Sequence, residues 1–275
     1  MGFGMATQIL KAGFALAVYN RTAERAAALQ TAGAQVASSP AEAARSADVV
    51  ISMVADDAAS RHVWCGDNGI LAALKSGAIA LECSTLSTAW VRELAHEVQK
   101  RKSEFLDAPV TGSKTQAASG ELQFLVGGDA AVLERVRPVL KVMSRNIVHI
   151  GPVGSGALIK LINNYLCGVQ AATLAEAMAL IERSGLDRER ALEILNSGAP
   201  GSPLVKTLSA RMVSRNYDVN FLLRLMEKDL NYATQEAEEH GMRFNMGPAA
   251  AKIFEQACKS GWGEKDFSAV IEALR

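Results

Sequence analysis

Residues 48–54 read Asp-Val-Val-Ile-Ser-Met-Val, and this stretch decides the fold class. It is an almost continuous apolar run of strand length, which is typical of a β-strand buried on both faces. Similar strand-like runs lie at 15–19, 35–37, 78–83, 104–110, 123–126 and 146–150. Helical periods at 2–12, 22–31, 40–47, 58–65 and 87–102 alternate with them. Because strands that alternate with helices form βαβ units, the first half predicts an α/β domain with a mostly parallel sheet.

The second half of the chain changes character after the segment Gly151-Pro152-Val153-Gly154. No further strand-like alternation follows, and the remaining apolar periods are helical, at 154–183, 187–196, 203–214, 221–240, 248–259 and 267–274. A length of 275 residues suits two domains. We therefore predict an α/β domain at 1–152 and an all-helical domain at 153–275 that begins with a long helix.

The composition excludes several classes of partner. The 29 Lys and Arg residues equal the 29 Asp and Glu residues, so no basic surface is expected for nucleic acid or anionic membrane. The uncharged stretch 161–175 is shorter than the about 20 residues that a membrane span requires. The four cysteines are widely separated and lack metal-ligand spacing, which favours reduced thiols. We expect a soluble cytoplasmic protein without a nucleic-acid, membrane or metal partner.

Lys160 is the only charged residue between Gly154 and Ala175, on a helix that is apolar nearly all round. A buried ammonium is costly, so this side chain either reaches solvent along its own stem or faces a cleft. The second alternative is favoured because Asn164 follows four residues later, on the same helix face. A Lys/Asn pair suits protonation or polarisation of a carbonyl oxygen.

Two segments place small polar residues directly after predicted strands. Residues 107–114 read Asp-Ala-Pro-Val-Thr-Gly-Ser-Lys, and Ser84-Thr85 follow the preceding strand. Each segment alone also fits a helix cap or a turn. Ligands of open α/β sheets bind at the carboxyl ends of strands, so on neighbouring strand ends the two segments predict a clamp for a carboxylate.

Asn20-Arg21-Thr22 follows the predicted strand that ends at Tyr19. In dinucleotide-binding folds an acidic residue here binds the ribose 2′-hydroxyl, whereas an arginine accommodates a 2′-phosphate. No Asp or Glu occurs between Ala15 and Ala23, which favours NADP over NAD. The alternative is that Thr22 caps the next helix while Arg21 is solvated.

A glycine-rich loop of the form Gly-x-Gly-x-x-Gly is expected between the first strand and the first helix of such a fold. Only Gly2 can represent its third glycine, and neither the first two glycines nor the strand before them is present. We therefore expect a dinucleotide-binding sheet that lacks its first strand, with the strands on either side of that position unpaired.

Taken in order, these motifs resemble the β-hydroxyacid dehydrogenase family, which includes 3-hydroxyisobutyrate dehydrogenases and glyoxylate/succinic semialdehyde reductases. Glu82-Cys83-Ser84-Thr85 is similar to the family's Asp-x-Ser-Thr element, with Glu82 in place of Asp. The other matching segments are Met1-Gly2, 20–22, 107–112, the catalytic helix 156–164, and Lys228-Asp229-Leu230 with Phe221 before it. Ser113-Lys114 and Gly120-Glu121-Leu122 resemble the glyoxylate/succinic semialdehyde reductase branch.

The resemblance implies a Rossmann-type NAD(P)-binding domain followed by an all-α domain, and a homodimer or homotetramer packed through the long helix. Lys160 would be the general acid and Asn164 its partner. The implied substrate-binding residues are Ser84, Thr85, Thr111, Gly112, Ser113, Phe221 and Asp229. The implied cofactor-binding residues are Met1, Gly2, Asn20, Arg21, Thr22, Met53, Val54, Thr85 and Lys228.

The function that the resemblance implies is NADPH-dependent reduction of small carboxylated aldehydes, such as glyoxylate or succinic semialdehyde, to hydroxyacids. Hydride would come from the nicotinamide and the proton from Lys160. Two alternatives stay open: a dehydrogenase of 3-hydroxyisobutyrate or another β-hydroxyacid, and a non-catalytic dimeric scaffold. Lys160, Asn164 and Asp229 favour an enzyme, and Lys160 disfavours imine reduction, whereas the missing glycine loop favours the scaffold.

Overall fold

The computed structural model describes all 275 residues, and the chain divides into two compact units, Met1–Lys160 and Leu161–Arg275. The first unit alternates helices and strands. Its elements are α1 (Gly2–Lys11), β1 (Ala17–Val18), α2 (Ala27–Thr31), β2 (Gln35–Val36), α3 (Pro40–Ala44), β3 (Val49–Ser52), α4 (Asp57–Cys65), α5 (Ile70–Ala73), β4 (Ile79–Glu82), α6 (Thr88–Lys100), β5 (Glu104–Asp107), β6 (Val110–Thr111), α7 (Lys114–Ser119), β7 (Leu122–Gly128), α8 (Ala130–Lys141) and β8 (Ser144–Gly151).

Six of these strands form one mixed sheet. β3, β4 and β5 are parallel neighbours. β5 and β6 each pair antiparallel with β7, and β8 pairs in parallel with β7. The fully buried strand β4 packs on both faces of the sheet: Ile79 and Leu81 lie in one core cluster, whereas Ala80 and the preceding Ala78 lie in another. This two-residue period places helices on both faces, as in a Rossmann-type domain. The α/β prediction is confirmed.

β1 and β2 form a second, separate parallel sheet of two residues per strand, with Ala17 opposite Gln35 and Val18 opposite Val36. β3 is accordingly an edge strand of the larger sheet. The predicted strand 15–19 is thus shorter than expected. The predicted helix 22–31 is also divided, into a 3-10 segment, Ala23–Ala26, and α2.

The predicted strand 104–110 is wrong as a single element. It is divided at Ala108-Pro109 into β5 and β6, and both parts pair with β7. The carbonyl of Pro109 still accepts the Leu125 N–H at 2.9 Å, so the backbone continues along β7 although the strand is interrupted. Proline has no N–H for a sheet ladder, which explains the break. Thr111 therefore lies on β6, not at the carboxyl end of the strand beside β4.

Three helices were not expected from the sequence: α5, α7 and α8. In α8 the apolar period is present, since Val132, Leu133, Val136 and Leu140 are buried. Pro138 lies inside this helix, and a proline in a helix interior is ordinarily read as a break.

The second unit is all-helical, as predicted. α9 (Ser155–Ser184) begins in the first unit and continues into the second, followed by α10 (Arg188–Ser197), α11 (Pro203–Ser214), α12 (Leu223–Glu239), α13 (Met246–Ala257), a π-helical turn, Cys258–Trp262, and a 3-10 helix, Phe267–Ala273. The last segment was expected to be α-helical. Met178, Met212, Met226, Leu230 and Phe254 lie at the centre of its core.

None of the helices is both long enough and apolar enough to cross a membrane. The longest, α9, has 30 residues, but it carries Lys160 near its start and Glu176, Glu182 and Arg183 near its end.

Candidate active site

The loops that follow β3 and β4 meet at the carboxyl edge of the parallel sheet. The Val54 N–H donates a hydrogen bond of 2.7 Å to Ser84 Oγ, which joins the two loops. Ser84 is buried, whereas Met53, Val54 and Thr85 are partly exposed. Because ligands of such sheets bind at the carboxyl ends of the strands, these four predicted site residues lie where a cofactor or substrate would contact the sheet.

The first turn of α1 lies against the same edge. A Cβ added at Gly2 would stand 3.6 Å from Met53 Cβ. The first N–H groups of a helix have no partner inside the helix, and they favour an anionic group such as a phosphate. No acidic side chain lies in this turn. The positions of Met1 and Gly2 therefore fit the phosphate part of a dinucleotide.

The segment Asn20-Arg21-Thr22 forms a turn directly after β1. The Thr22 N–H donates to Asn20 Oδ1 at 2.9 Å, and Arg21 is exposed. Thr22 precedes the 3-10 segment, but its side chain makes no capping hydrogen bond, so the alternative that it serves as a helix cap gains no support. Arg25, four residues after Arg21, is also exposed. Two exposed guanidinium groups, one in the turn and one in the 3-10 segment that follows it, suit a phosphate.

Asp107, the last residue of β5, caps the start of α9. Its side chain is fully buried, with Oδ1 accepting the Gly154 N–H and Oδ2 the Ala157 N–H, each at 2.8 Å. Burial raises the pKa of this carboxyl, and the backbone hydrogen bonds act in the opposite direction. The cap attaches the beginning of α9 to the end of β5.

Lys160 follows the second capped residue, Ala157, by three positions, about one helical turn. The Asp107 carboxylate thus determines where the segment carrying Lys160 leaves the sheet. The sequence places Asp107 in a matching motif without a role of its own, and the signal for this role is an acidic residue at the end of an apolar strand.

Thr111, Gly112 and Ser113 lie on β6 and at the start of α7. Gly112 has a φ of 117°, and a Cβ there would stand 3.0 Å from Gln116 Cβ, so this position requires glycine. Ser113 is the N-cap of α7 in a capping box with Gln116, whose Oε1 accepts the Ser113 N–H at 2.9 Å. The Ser113 side chain therefore has the capping function that the sequence left open.

In the second unit, four polar side chains of α9 and α12 form one cluster. Asn164 Nδ2 donates to Asp229 Oδ2 at 2.5 Å, and Asn163 Nδ2 donates to Asn164 Oδ1 at 3.0 Å. Lys228 Nζ lies 3.0 Å from Asp229 Oδ1, although without the geometry of a hydrogen bond. Because both ends of the Asn164 amide have partners, its orientation is set, with one N–H left to donate to a ligand oxygen.

Phe221 lies at a different place in this unit. Its ring packs edge-on against Phe267 with centroids 5.7 Å apart, and its N–H donates to Asp266 Oδ2 at 3.1 Å. The Asp266 carboxylate is buried, so this hydrogen bond anchors the Phe221 backbone to the interior of the second unit.

Sequence reasoning missed three of the residues in these groups: Arg25, Asn163 and Tyr232. The Tyr232 ring lies 5.1 Å from Lys228 Nζ, in a cation–π contact. Tyr232 follows Lys228 by four positions on α12, which is the spacing of neighbours on a helix face, and Arg25 follows Arg21 within the same short basic segment. That spacing, and the Asn163-Asn164 doublet, are the available signals.

Comparison with known proteins covers nearly the whole chain. The family described as the NAD binding domain of 6-phosphogluconate dehydrogenase matches residues 1–151, and the one described as NAD-binding of NADP-dependent 3-hydroxyisobutyrate dehydrogenase matches residues 154–274. The chain is 39% identical to the NAD-dependent L-serine dehydrogenase of Pseudomonas aeruginosa, over 98% of this chain and 93% of that protein.

Two further proteins are similar over the full chain. Glyoxylate/succinic semialdehyde reductase 2 of Arabidopsis thaliana, a chloroplastic protein, is 34% identical over 100% of this chain and 77% of its own length. A solved structure of Mycobacterium tuberculosis 3-hydroxyisobutyrate dehydrogenase with L-serine has a TM-score of 0.89 and 31% identity, covering 100% of this chain and 96% of that one.

The buried cap at Asp107 generates a stability prediction. In Asp107→Asn one amide N–H faces the N–H of Gly154 or Ala157, so a buried donor loses its acceptor, and the free energy of unfolding is expected to fall by about 1–3 kcal/mol. The measurement is urea unfolding of the purified protein.

The matched control is Asp129→Asn. Asp129 caps α8 by accepting the Ala131 N–H at 2.6 Å, but it is exposed, and asparagine caps exposed helices about as well as aspartate. A loss in Asp107→Asn no larger than in this control would contradict the buried cap.

Proposed function

The chain belongs to the β-hydroxyacid dehydrogenase family, and we propose that it is an NADPH-dependent reductase of small carboxylated aldehydes such as glyoxylate or succinic semialdehyde. The observation that carries the proposal is the Asp107 cap. It starts the lysine-bearing helix at the carboxyl end of β5, next to the end of β4, where ligands of such sheets bind.

In this proposal residues 1–152 bind the dinucleotide and residues 153–275 serve substrate binding and dimerisation. In the first part, Met1, Gly2, Asn20, Arg21, Thr22, Met53, Val54 and Thr85 hold the cofactor, while Ser84, Thr85, Thr111, Gly112 and Ser113 hold the substrate carboxylate. In the second part, Phe221 and Asp229 contact the substrate and Lys228 contacts the cofactor.

The chemistry assigned to the chain's own residues is proton transfer and orientation. Bound NADPH would supply the hydride that reduces the aldehyde carbon. The Lys160 ammonium donates a proton to the carbonyl oxygen and becomes a neutral amine, and in the reverse direction that amine accepts the hydroxyl proton. The remaining Asn164 N–H donates to the same oxygen, which fixes its position for the transfer.

The preference for NADPH over NADH is proposed from the turn after β1. Arg21 in this turn and Arg25 in the following 3-10 segment are both exposed and can pair with a 2′-phosphate. Asn20 accepts the Thr22 N–H, which favours the turn conformation that carries Arg21.

A second candidate is oxidation of a β-hydroxyacid such as L-serine or 3-hydroxyisobutyrate. It is supported by the identity of 39% to an L-serine dehydrogenase and by the similarity to a 3-hydroxyisobutyrate dehydrogenase structure with L-serine. Initial rates on both aldehydes with NADPH, and on both hydroxyacids with NADP⁺ and NAD⁺, separate the candidates by kcat/KM. Higher kcat/KM for a hydroxyacid overturns the first proposal, and no turnover on any of them favours the non-catalytic scaffold.

We also propose a homodimer or homotetramer formed through α9. Ile162, Leu166 and Leu180 of this helix are exposed. Positions 162 and 180 are 18 residues apart, five full turns, so they point in the same direction. Burial of this stripe against a second copy would remove apolar surface from water.

A cytoplasmic location completes the proposal. All four cysteines are free thiols, and Cys83 is buried. Free thiols of this kind are typical of a reducing compartment.

Replacement of the proposed acid gives a direct test. Lys160→Ala removes the proton donor, and we expect kcat/KM for aldehyde reduction to fall by about 10²–10⁴-fold while NADPH binding stays nearly unchanged. Steady-state rates and NADPH fluorescence titration measure the two effects. Lys206→Ala, at an exposed lysine of α11, is the control, and wild-type turnover in Lys160→Ala would refute the assignment.

Replacement of Arg21 tests the cofactor preference. Arg21→Ala removes a charged hydrogen-bond donor to the 2′-phosphate, and we expect the dissociation constant of NADPH to rise by about 10- to 100-fold with little change for NADH. Arg101→Ala, at an exposed arginine that follows α6, should change neither constant. Equal losses for NADPH and NADH in Arg21→Ala rule out a 2′-phosphate contact.

A further inference from the structure

Glu82 is a second fully buried carboxylate at the sheet's carboxyl edge, and it has no part in the chemistry described above. It is the last residue of β4 and lies directly opposite Asp107 in the parallel pairing. It also stands where the family resemblance has an aspartate, so its side chain reaches one methylene further.

Neutral donors from three residues bind this carboxylate, and Ser84 contributes both its N–H and its hydroxyl. Oε1 accepts the Ser84 N–H at 2.9 Å, and Oε2 accepts the Ser60 hydroxyl and the Trp64 indole N–H, each at 2.8 Å. The Trp90 indole N–H donates to Ser60 Oγ at 2.9 Å, so Ser60 accepts from Trp90 and donates its own proton to Glu82. Burial raises the pKa of Glu82, and the hydrogen bonds act in the opposite direction.

These contacts connect α4 to both loops of the site. Ser60 and Trp64 belong to α4, and Ser84 belongs to the loop after β4. Ser84 in turn accepts the Val54 N–H, in the loop after β3. One carboxylate therefore sets the position of Ser84 directly and that of Val54 through it.

We propose that Glu82 is a positioning residue that holds the loops after β3 and β4 in the arrangement that binds cofactor and substrate. It acts through Ser84 and Val54 and contacts neither ligand itself. This inference rests on the proposed function, because Met53, Val54, Ser84 and Thr85 are ligand-binding residues only in that proposal.

Glu82→Gln tests the inference because glutamine keeps the shape but has a single amide oxygen. That oxygen can serve either the Ser84 N–H or the pair of donors from Ser60 and Trp64. The Ser60 and Ser84 hydroxyls can rotate to accept from the amide nitrogen, so the fixed N–H groups of Trp64 and Ser84 compete for the single oxygen. Where the oxygen binds Trp64, the amide nitrogen faces the Ser84 N–H and displaces it. Adding Trp64→Phe removes one competing donor, which lets the oxygen return to Ser84 while Ser60 accepts from the amide.

The expected result is a pattern across three variants. Glu82→Gln should raise the dissociation constant of NADPH by about tenfold, the effect of one buried donor left without an acceptor. Trp64→Phe should bind NADPH nearly as the wild type does, and the double variant should recover most of the lost affinity even though its Tm is the lowest. The control Glu272→Gln alters a largely buried glutamate that accepts the Tyr217 hydroxyl, and should lower Tm without changing NADPH affinity.

A second measurement does not depend on activity. Ser84 Oγ protects the Val54 amide, so hydrogen exchange at Val54 should accelerate in Glu82→Gln and slow again in the double variant. Unchanged exchange and unchanged NADPH affinity in Glu82→Gln overturn the inference, as does a double variant that binds worse than either single one. If exchange follows the expected pattern while the wild type neither binds NADPH nor turns over any substrate, the proposed function fails and the inference fails with it.

Discussion

The rest of the first unit depends on the buried carboxylate of Asp107. A carboxylate that has lost its water needs hydrogen-bond donors, and here they are the N–H groups of Gly154 and Ala157 at the start of α9. Two glycines near this carboxylate have no room for a side chain. A Cβ on Gly127 would stand 2.5 Å from Asp107 Oδ1, and one on Gly156 would stand 2.2 Å from the Leu125 carbonyl oxygen. Sheet, glycines and helix start are therefore fixed together.

Two buried carboxyl groups lie side by side on neighbouring strands at this edge of the sheet. Glu82 and Asp107 are direct partners in the parallel ladder, and burial raises the pKa of both. Neither is hydrogen-bonded to a lysine or arginine; their partners are backbone N–H groups, serine hydroxyls and one indole. Fixed neutral dipoles orient a carboxylate more strictly than a flexible cation does, so each acid holds its own segment in one place.

The sequence predicted the layout of the fold because buried strands carry their own signal, as 48–54 does. It predicted one strand at 104–110 because an apolar period does not register the missing N–H of Pro109. It missed α8 because Pro138 is ordinarily read as a helix break, although the apolar period continues through it. The residue types of the candidate site were visible at strand ends and on one helix. The partners of Glu82 were not, because Ser60 and Trp64 approach it only through packing of α4 on the sheet.

The isolated pair of short strands, β1 and β2, has a consequence for ligand binding. Arg21 follows a strand of two residues that belongs to no larger sheet. A ladder this short can open while the six-stranded sheet stays intact, because few hydrogen bonds hold it. A phosphate that binds only the closed turn shifts this local equilibrium towards closure. The observed affinity for such a ligand then equals its intrinsic affinity multiplied by the fraction of molecules in which the turn is already formed.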